Sequence, residues 1–293
     1  MVLSVPLDIV IWLQELSSPF MDFVWNFVSL FGEEYLYIAV LGLIYWIINK
    51  RMGEFVGIAL GTTISLNNVL KDIIGAQRPY QEYPDLVDNK RGYTATGYSM
   101  PSGHVQGSST FFVAIAYYVK RRWMMVCAIS ITLLMMISRM YLGVHYIQDV
   151  LVGGLLGIAV AIGMMVMYRR YEGNDALLHR FYVIVLIVFF PFFFILQGND
   201  FFRGYGILVG LVFGVIFEKN YVKFTMDISI YKKVLRYVFG LISMVGALVG
   251  FGMLFALFAD SGWLKNVLDF VRYFMIAFVG FGLYPWVFKR LKF

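Results

Sequence analysis

A histidine and an aspartate four residues apart are the most chemically distinctive pair in the chain. They lie in the segment Ser138-Arg139-Met-Tyr-Leu-Gly-Val-His145-Tyr-Ile-Gln-Asp149. If a helix opens at His145, this spacing places Asp149 one turn away on the same face. A carboxylate there accepts one imidazole N–H, fixes the tautomer and leaves the other ring nitrogen free to attack an electrophile. The pair beside long apolar segments predicts a functional site; the alternative is a polar pair that ends two spans.

A second histidine occurs in Pro101-Ser102-Gly103-His104, immediately before an apolar stretch. Ser102 is a favoured N-cap, and the unpaired backbone N–H groups of a helix start form an anion site. Gly103 allows a ligand to approach that backbone closely. His104 would then lie in the first turn, where it is available for proton transfer. The alternative is a capped helix whose histidine is hydrogen-bonded within a loop.

Two cations bracket a third segment, Lys71-Asp-Ile-Ile-Gly-Ala-Gln-Arg78-Pro79. A helix would place Lys71 and Arg78 on one face, two turns apart. Because Pro79 disfavours helical geometry at Arg78, we expect the helix to end near that residue. Taken alone, the segment also fits two cations that extend to a membrane interface.

Taken together, the three segments describe a phosphate site with a nucleophile and an acid. They contribute two of the three histidines of the chain, a helix N-terminus and three cations, Lys71, Arg78 and Arg139. Cations and backbone donors stabilise the charge that develops on a phosphoryl group. No carboxylate cluster of the kind that hard metal ions require accompanies them, so we expect neither a metal nor a cofactor.

The composition indicates what kind of scaffold must position these residues. Of the 293 residues, 60% are hydrophobic and only 14% are charged, whereas soluble domains average about 45–50% and about 25%. A soluble enzyme is therefore excluded, and so is a disordered chain, which needs low hydrophobicity. The length suits roughly nine membrane spans of about 20 residues each. We predict an all-α, polytopic membrane helical bundle.

Apolar segments divide this bundle into three parts. Residues 7–31 are interrupted by polar residues and Pro19, so we predict helices that lie in the membrane interface or dip into it. Nine clearer spans follow, at 34–49, 53–72, 103–120, 122–138, 146–168, 181–197, 204–218, 234–258 and 270–288. The predicted parts are an N-terminal interfacial segment (1–33), a five-helix core (34–170) and a C-terminal transmembrane extension of about four helices (171–293). Glycines four apart within the spans are predicted to let helices pack closely.

The basic residues assign a side to each loop. Sixteen of the 24 lysines and arginines fall in one alternating set of loops, which is therefore predicted to be cytoplasmic. The net charge of +6 thus reports membrane topology, and no nucleic-acid partner is expected. The extracytoplasmic set includes the three cations of the phosphate site and holds Lys71, Arg78, Lys90, Arg91, Arg139, Arg203, Lys265 and Arg272.

The three segments match, in order and without a mismatch, the signature motifs of the type 2 phosphatidic acid phosphatase superfamily. The family patterns K-x6-RP, PSGH and SR-x5-H-x3-D correspond to Lys71–Pro79, Pro101–His104 and Ser138–Asp149. The resemblance covers roughly residues 30–170. The chain looks like an integral membrane lipid phosphatase, related to phosphatases of undecaprenyl diphosphate, phosphatidylglycerophosphate and sphingosine phosphate.

The resemblance implies metal-independent hydrolysis of a lipid phosphate or diphosphate. His145 would be the nucleophile that forms a phosphohistidine, and Asp149 would orient it. His104 would protonate the leaving oxygen and then activate water. The phosphoryl oxygens would be held by the remaining motif residues, Lys71, Arg78, Ser102, Gly103 and Arg139.

Substrate and context are narrower expectations. An outward-facing site in the membrane suits a lipid carrier recycled outside the cytoplasm, such as undecaprenyl diphosphate in a bacterial plasma membrane. Phosphatidylglycerophosphate, phosphatidate and a sphingoid phosphate also fit, and loop 80–100 is expected to select the leaving group. The alternatives are a lipid phosphotransferase that uses the same phosphohistidine, a phosphatase for a soluble ester, and a non-catalytic lipid-phosphate binder. The C-terminal helices are expected to widen the lipid groove or to form a homodimer surface.

Overall fold

The computed structural model describes residues 5–259 and 261–292, and all regular structure in these residues is helical. The prediction of an all-α fold is thus confirmed. Short 3-10 segments occur at Leu30–Gly32 and Gly92–Thr94, and π-helical segments at Ile44–Ile48, Glu218–Val222 and Val279–Leu283. The α-helices are α1 (Val5–Glu15), α2 (Pro19–Ser29), α3 (Glu34–Leu43), α4 (Lys50–Ile74), α5 (Pro79–Glu82), α6 (Gly103–Val119), α7 (Arg122–Tyr141), α8 (Ile147–Tyr171), α9 (Asp175–Phe189), α10 (Phe192–Ile195), α11 (Asn199–Phe217), α12 (Ile230–Ala256), α13 (Gly262–Phe278) and α14 (Tyr284–Arg290).

Six helices within the described residues are long and apolar enough to cross a membrane, which makes the chain a multi-pass membrane protein. They coincide with the last six of the nine predicted spans. The predicted span 34–49 corresponds to the second of two helical segments, Pro19–Gly32 and Glu34–Ile48, which meet at a 53° bend. These two segments together make a seventh membrane span if they form one broken helix. The predicted spans 53–72 and 103–120 do not pass the same test: α4 carries charged residues near both ends, and α6 has only 17 residues.

The contacts divide the chain into two compact units, residues 1–37 with 66–163 and residues 38–65 with 164–293. Helices α3, α4 and α8 contribute to both units. The predicted three-part division at residues 33 and 170 follows sequence character and stays a prediction; its residues 1–4, 260 and 293 lie outside the described structure.

The first unit is built around α7, which α1, α2 and α6 contact. Leu7, Val10 and Leu13 recur every three residues along α1 and are buried in the core of this unit together with Met135 and Tyr141. Ser18 caps α2 by accepting a hydrogen bond from the backbone N–H of Met21 at 3.2 Å. The N-terminal helices are therefore part of this core, and their position at a membrane interface stays a prediction.

The second unit shows why glycines recur in the spans. A Cβ on Gly206 would lie 2.5 Å from the carbonyl oxygen of Phe270, and one on Gly210 would lie 2.3 Å from that of Phe274. These distances confirm close helix packing between α11 and α13. At Gly246 and Gly250 of α12 no described atom lies within 4 Å of a Cβ, so these two glycines do not pack against another helix among the described residues.

Candidate active site

All eight predicted site residues lie in the first unit, at the ends of its helices. Each cluster occupies a helix boundary, where side chains and unpaired backbone groups project from the bundle. Lys71 is in the last turn of α4 and Arg139 in that of α7, while Asp149 is in the first turn of α8. The others stand before or at a helix start: Arg78 before α5, Ser102, Gly103 and His104 at the start of α6, and His145 in the α7–α8 link.

His145 and Asp149 form a buried pair, with 3.4 Å between Nδ1 and Oδ2. The backbone N–H of Tyr146 donates to the same carboxylate oxygen at 2.9 Å. The expectation that a helix opens at His145 is wrong, because α8 begins at Ile147. Asp149 instead holds the link in place by accepting the N–H of the residue after His145, and this bond brings the imidazole to the carboxylate.

Ser99, three residues before Ser102, completes the surroundings of this pair. Its hydroxyl donates to Asp149 Oδ2 at 2.5 Å and lies 3.3 Å from His145 Nδ1. The side chain is fully buried. Ser99 therefore fixes the carboxylate from the side of the α5–α6 loop, while the backbone of Tyr146 fixes it from the α7–α8 link.

Arg78 lies against the other nitrogen of His145, with 3.2 Å between Nη1 and Nε2. Guanidinium nitrogens only donate, so the hydrogen-bond network assigns a lone pair to Nε2 and the proton to Nδ1, which faces Asp149. Burial and the charges of Arg78, Arg139 and Lys71 hold the pKa of His145 well below its usual value. The imidazole is therefore neutral at pH 7, with Nε2 in the form that a nucleophile requires.

Arg78 and Lys71 also organise the loop in front of α6. Arg78 donates to the carbonyls of Thr96 at 2.7 Å, Tyr98 at 3.1 Å and Val144 at 2.9 Å. Lys71 donates to the Thr96 carbonyl at 3.2 Å. The two cations do not share a helix face as expected, because α4 ends at Ile74. The non-helical backbone that Pro79 predicts at Arg78 is confirmed, with φ −87° and ψ 154°, but α4 ends four residues before Arg78 and not at it.

The Pro101–His104 turn packs tightly against α8 and α4. The backbone N–H of Ser102 donates to the Asp149 carbonyl at 3.0 Å. A Cβ on Gly153 would lie 2.8 Å from the Ser102 carbonyl, and one on Gly103 would lie 3.1 Å from Asn67 Oδ1. Glycine at both positions thus lets this helix start sit next to the His145–Asp149 pair.

Arg139 and His104 are positioned by the N-terminal segment. Ser29 accepts a hydrogen bond from Arg139 Nη1 at 2.6 Å. A methyl group on Gly32 would lie 2.9 Å from Cβ and Cδ2 of His104. The charge of Arg139 and the ring of His104 both interact electrostatically with His145. The site therefore depends on residues that precede the predicted core, and Ser29 and Gly32 carry no sequence signal for such a role.

Several buried polar atoms here have no hydrogen-bond partner among residues 5–259 and 261–292. They are Nε and Nη2 of Arg139, Nε2 of His104, Oγ of Ser102 and Nε of Arg91. Buried polar groups are nearly always satisfied, so a group of unsatisfied ones needs an explanation. Three of these atoms belong to the cations Arg139 and Arg91, and Lys71, Arg78 and Arg139 act electrostatically on both histidines of the site. The arrangement fits an anion with several acceptor oxygens, such as a phosphoryl group.

Fold and site together define a multi-pass helical membrane protein in which two histidines lie among buried cations. Residues 55–172 match the PAP2 superfamily, and residues 202–293 match the PAP2 superfamily phosphatase, transmembrane extension. The chain belongs to the PAP2 superfamily, with the type 2 phosphatidic acid phosphatase motifs in its first match.

Named relatives and solved structures agree with this assignment. The chain is 35% identical over 136 residues to an undecaprenyl-diphosphatase of Sulfolobus acidocaldarius, covering 45% of this chain and 63% of the relative. It is 31% identical over 133 residues to phosphatidylglycerophosphatase B of Bacillus subtilis, covering 42% and 58%. The match thus spans less than two thirds of either relative.

Two solved structures share the fold. The transmembrane phosphatidylglycerolphosphate phosphatase of Bacillus subtilis has a TM-score of 0.50 and 24% identity, covering 58% of this chain and 87% of that one. LpxE of Aquifex aeolicus has a TM-score of 0.50 and 21% identity, covering 56% and 96%.

Proposed function

We propose that the protein hydrolyses a lipid phosphate or diphosphate through a phosphohistidine at His145. The observation that carries the proposal is the placement of the His145 ring: Nδ1 lies 3.4 Å from Asp149 Oδ2 and 3.3 Å from Ser99 Oγ, while Nε2 lies 3.2 Å from Arg78 Nη1. A neutral imidazole held in this way is an activated nucleophile beside a cation that attracts the phosphoryl group. Membership of the PAP2 superfamily and the names of the relatives support the same chemistry.

The reaction has two steps. In the first, Nε2 of His145 bonds to phosphorus and the bond from phosphorus to the leaving oxygen breaks. Burial and the nearby cations lower the pKa of His104 in the free site; the anionic substrate offsets those cations, so His104 becomes protonated and gives the leaving oxygen its proton. Asp149 stabilises the positive charge that the imidazole acquires. In the second, His104 takes a proton from water, the water oxygen bonds to phosphorus, and the phosphorus–nitrogen bond breaks to release inorganic phosphate.

Lys71, Arg78 and Arg139, with the backbone of Ser102 and Gly103, would stabilise the three phosphoryl oxygens. Arg139 is well suited to this role, because it is fully buried and two of its guanidinium nitrogens, Nε and Nη2, have no partner in the described structure. Three fixed cations supply the kind of charge stabilisation that divalent metals supply elsewhere. We therefore propose activity without a metal, which a chelator tests directly.

The substrate is proposed to be a lipid whose chain lies in the bilayer and whose phosphate reaches an outward-facing site. The distribution of basic residues supports that orientation. The relative named undecaprenyl-diphosphatase supports a carrier-lipid diphosphate. A bacterial plasma membrane is the proposed location.

A homodimer through the C-terminal helices is part of the proposal. Gly246 and Gly250 lie four apart on α12, and no described atom fills the space beside them. Such spacing allows a second helix to approach closely. Gly246→Leu should shift purified protein in detergent from dimer to monomer by light scattering; an unchanged mass would remove this part of the proposal.

The experiment for the proposed function measures phosphate release in detergent with EDTA across a panel of lipid phosphates and diphosphates. Wild type should release phosphate, and His145→Ala should not. His179→Ala is the matched control, because it removes the third histidine, which lies in α9 outside the site. Release that persists in His145→Ala, or that EDTA abolishes in wild type, would contradict the proposal.

A further inference from the structure

Arg91 is a buried cation that the proposed reaction does not use. It lies in the loop between α5 and α6, yet its side chain is only 6% exposed. Lys90, its neighbour in sequence, forms an ion pair with Asp22 and is more exposed, at 16%. An arginine is rarely buried unless it is paired or binds a charged group. Arg91 is therefore built into the site region rather than placed on the loop surface.

The N-terminal segment holds the guanidinium group of Arg91 at two of its three nitrogens. Nη1 donates to Asn26 Oδ1 at 2.6 Å, and Nη2 forms an ion pair with Glu33. The third nitrogen, Nε, is buried and has no hydrogen-bond partner in the part of the chain that the structure describes. Glu33 and Asn26 thus fix the plane of the guanidinium group of Arg91 and leave its Nε–H available to a ligand.

Arg91 lies on the His104 side of the site. Its partner Glu33 follows Gly32, which packs directly against the ring of His104. Arg91 is one of the cations that act electrostatically on His104, after Arg139 and Lys71, and it is not among the main charged neighbours of His145. In the proposed reaction the side of His104 is the side from which the leaving group departs.

We propose that Arg91 binds a second phosphate on the leaving group, so that the site prefers lipid diphosphates to lipid monophosphates. This inference rests on the proposed function, because it takes His104 as the acid for the leaving oxygen. In a diphosphate, His145 Nε2 bonds to the terminal phosphorus and the bond to the bridging oxygen breaks. The electron pair stays on that oxygen, which takes the proton of His104, and the lipid monophosphate departs with its phosphate hydrogen-bonded to Nε–H of Arg91.

The test compares two substrates with the same chain, farnesyl diphosphate and farnesyl monophosphate, in wild type and Arg91→Gln. We expect kcat/KM for the diphosphate to fall by about 10-fold or more, the range for one hydrogen bond to a charged group. For the monophosphate it should change by less than about threefold. Arg91→Lys keeps the positive charge but lacks the planar guanidinium group, so its kcat/KM for the diphosphate should lie between those of wild type and Arg91→Gln. It serves as the second variant if Arg91→Gln does not fold. Lys90→Gln is the matched control and should change neither substrate.

A binding measurement separates failure of this inference from failure of the proposed function. The His145→Ala variant allows binding to be measured without turnover. When Arg91→Gln is added to it, the ratio of the affinity for the diphosphate to that for the monophosphate should fall by about 10-fold or more, as kcat/KM does. An equal loss for both ligands, or no loss for either, would overturn the inference. If wild type binds the diphosphate more tightly through Arg91 but releases no phosphate, the proposed Arg91 subsite stands and the proposed hydrolytic function is contradicted.

Discussion

Replacing Ser99 with alanine tests how the His145–Asp149 pair is held. The substitution removes one hydroxyl and leaves a side chain of nearly the same shape, so the packing around it should persist. It deletes the 2.5 Å hydrogen bond to Asp149 Oδ2 and the 3.3 Å contact with His145 Nδ1. Because Ser99 is fully buried, bulk water cannot simply replace the missing donor.

The size of the effect follows from the contacts that remain. A hydrogen bond to a charged group contributes about 1.5–3 kcal/mol. Tyr146 N–H still donates to the same oxygen at 2.9 Å, so the carboxylate keeps part of its orientation. We therefore expect the lower end of that range, or a loss of about tenfold in kcat. The cations proposed to bind the phosphate are untouched, so KM should stay within about twofold of wild type.

The assay is steady-state phosphate release by Ser99→Ala, Ser99→Thr and Ser108→Ala. Threonine keeps the hydroxyl and should recover most of kcat. Ser108 is an equally buried serine whose hydroxyl, among the described residues, donates to the Val105 carbonyl of its own helix, so its alanine variant is a matched control. A Ser99→Ala enzyme with wild-type kcat, or one impaired only through a raised KM, would refute the positioning role.

Three further predictions concern other parts of the site. Ser29→Ala removes the 2.6 Å contact to Arg139 and should lower kcat/KM by about 3- to 10-fold in the phosphate-release assay; an unchanged value would contradict a role for the N-terminal segment. Gly143 has φ +75° and no room for a Cβ, so Gly143→Ala should lower the thermal unfolding midpoint by a clear margin, corresponding to about 1–3 kcal/mol; wild-type stability would contradict it. The nucleophile must be neutral, and the pKa of His145 is lowered. As the pH is reduced, kcat/KM should therefore stay constant down to pH 6.5 and fall only below it; a fall that begins at or above pH 6.5 would contradict the lowered pKa.

Spacing along the chain predicted which residues come together better than it predicted their local geometry. His145 and Asp149 do meet, but they do not lie on one turn of a helix. Asp149 accepts the backbone N–H of Tyr146, and this hydrogen bond holds the α7–α8 link so that His145 contacts the carboxylate. Residues between Lys71 and Arg78 leave the helix at Ile74, where Gly75 takes a left-handed conformation. Local breaks of this kind depend on tertiary hydrogen bonds that a spacing rule does not include.

The contribution of the N-terminal segment could not be predicted from the sequence. Ser29 and Arg139 are 110 residues apart, and a serine at the end of an apolar helix has no feature that links it to a distant arginine. Ser99 is closer to a motif, three residues before Ser102, but its role depends on where the loop folds. Six spans were predicted correctly because their apolar length alone identifies them.

The central claim is that phosphate is transferred to His145, and direct detection of that intermediate tests it best. Wild type and His104→Ala would be mixed with a lipid diphosphate labelled in its terminal phosphate, quenched in alkali and digested. The account predicts an acid-labile, alkali-stable phosphate on the peptide that contains His145, with more of it retained in His104→Ala and none in His145→Ala. Turnover with no phosphorylated peptide, or with the label on another residue, would contradict it.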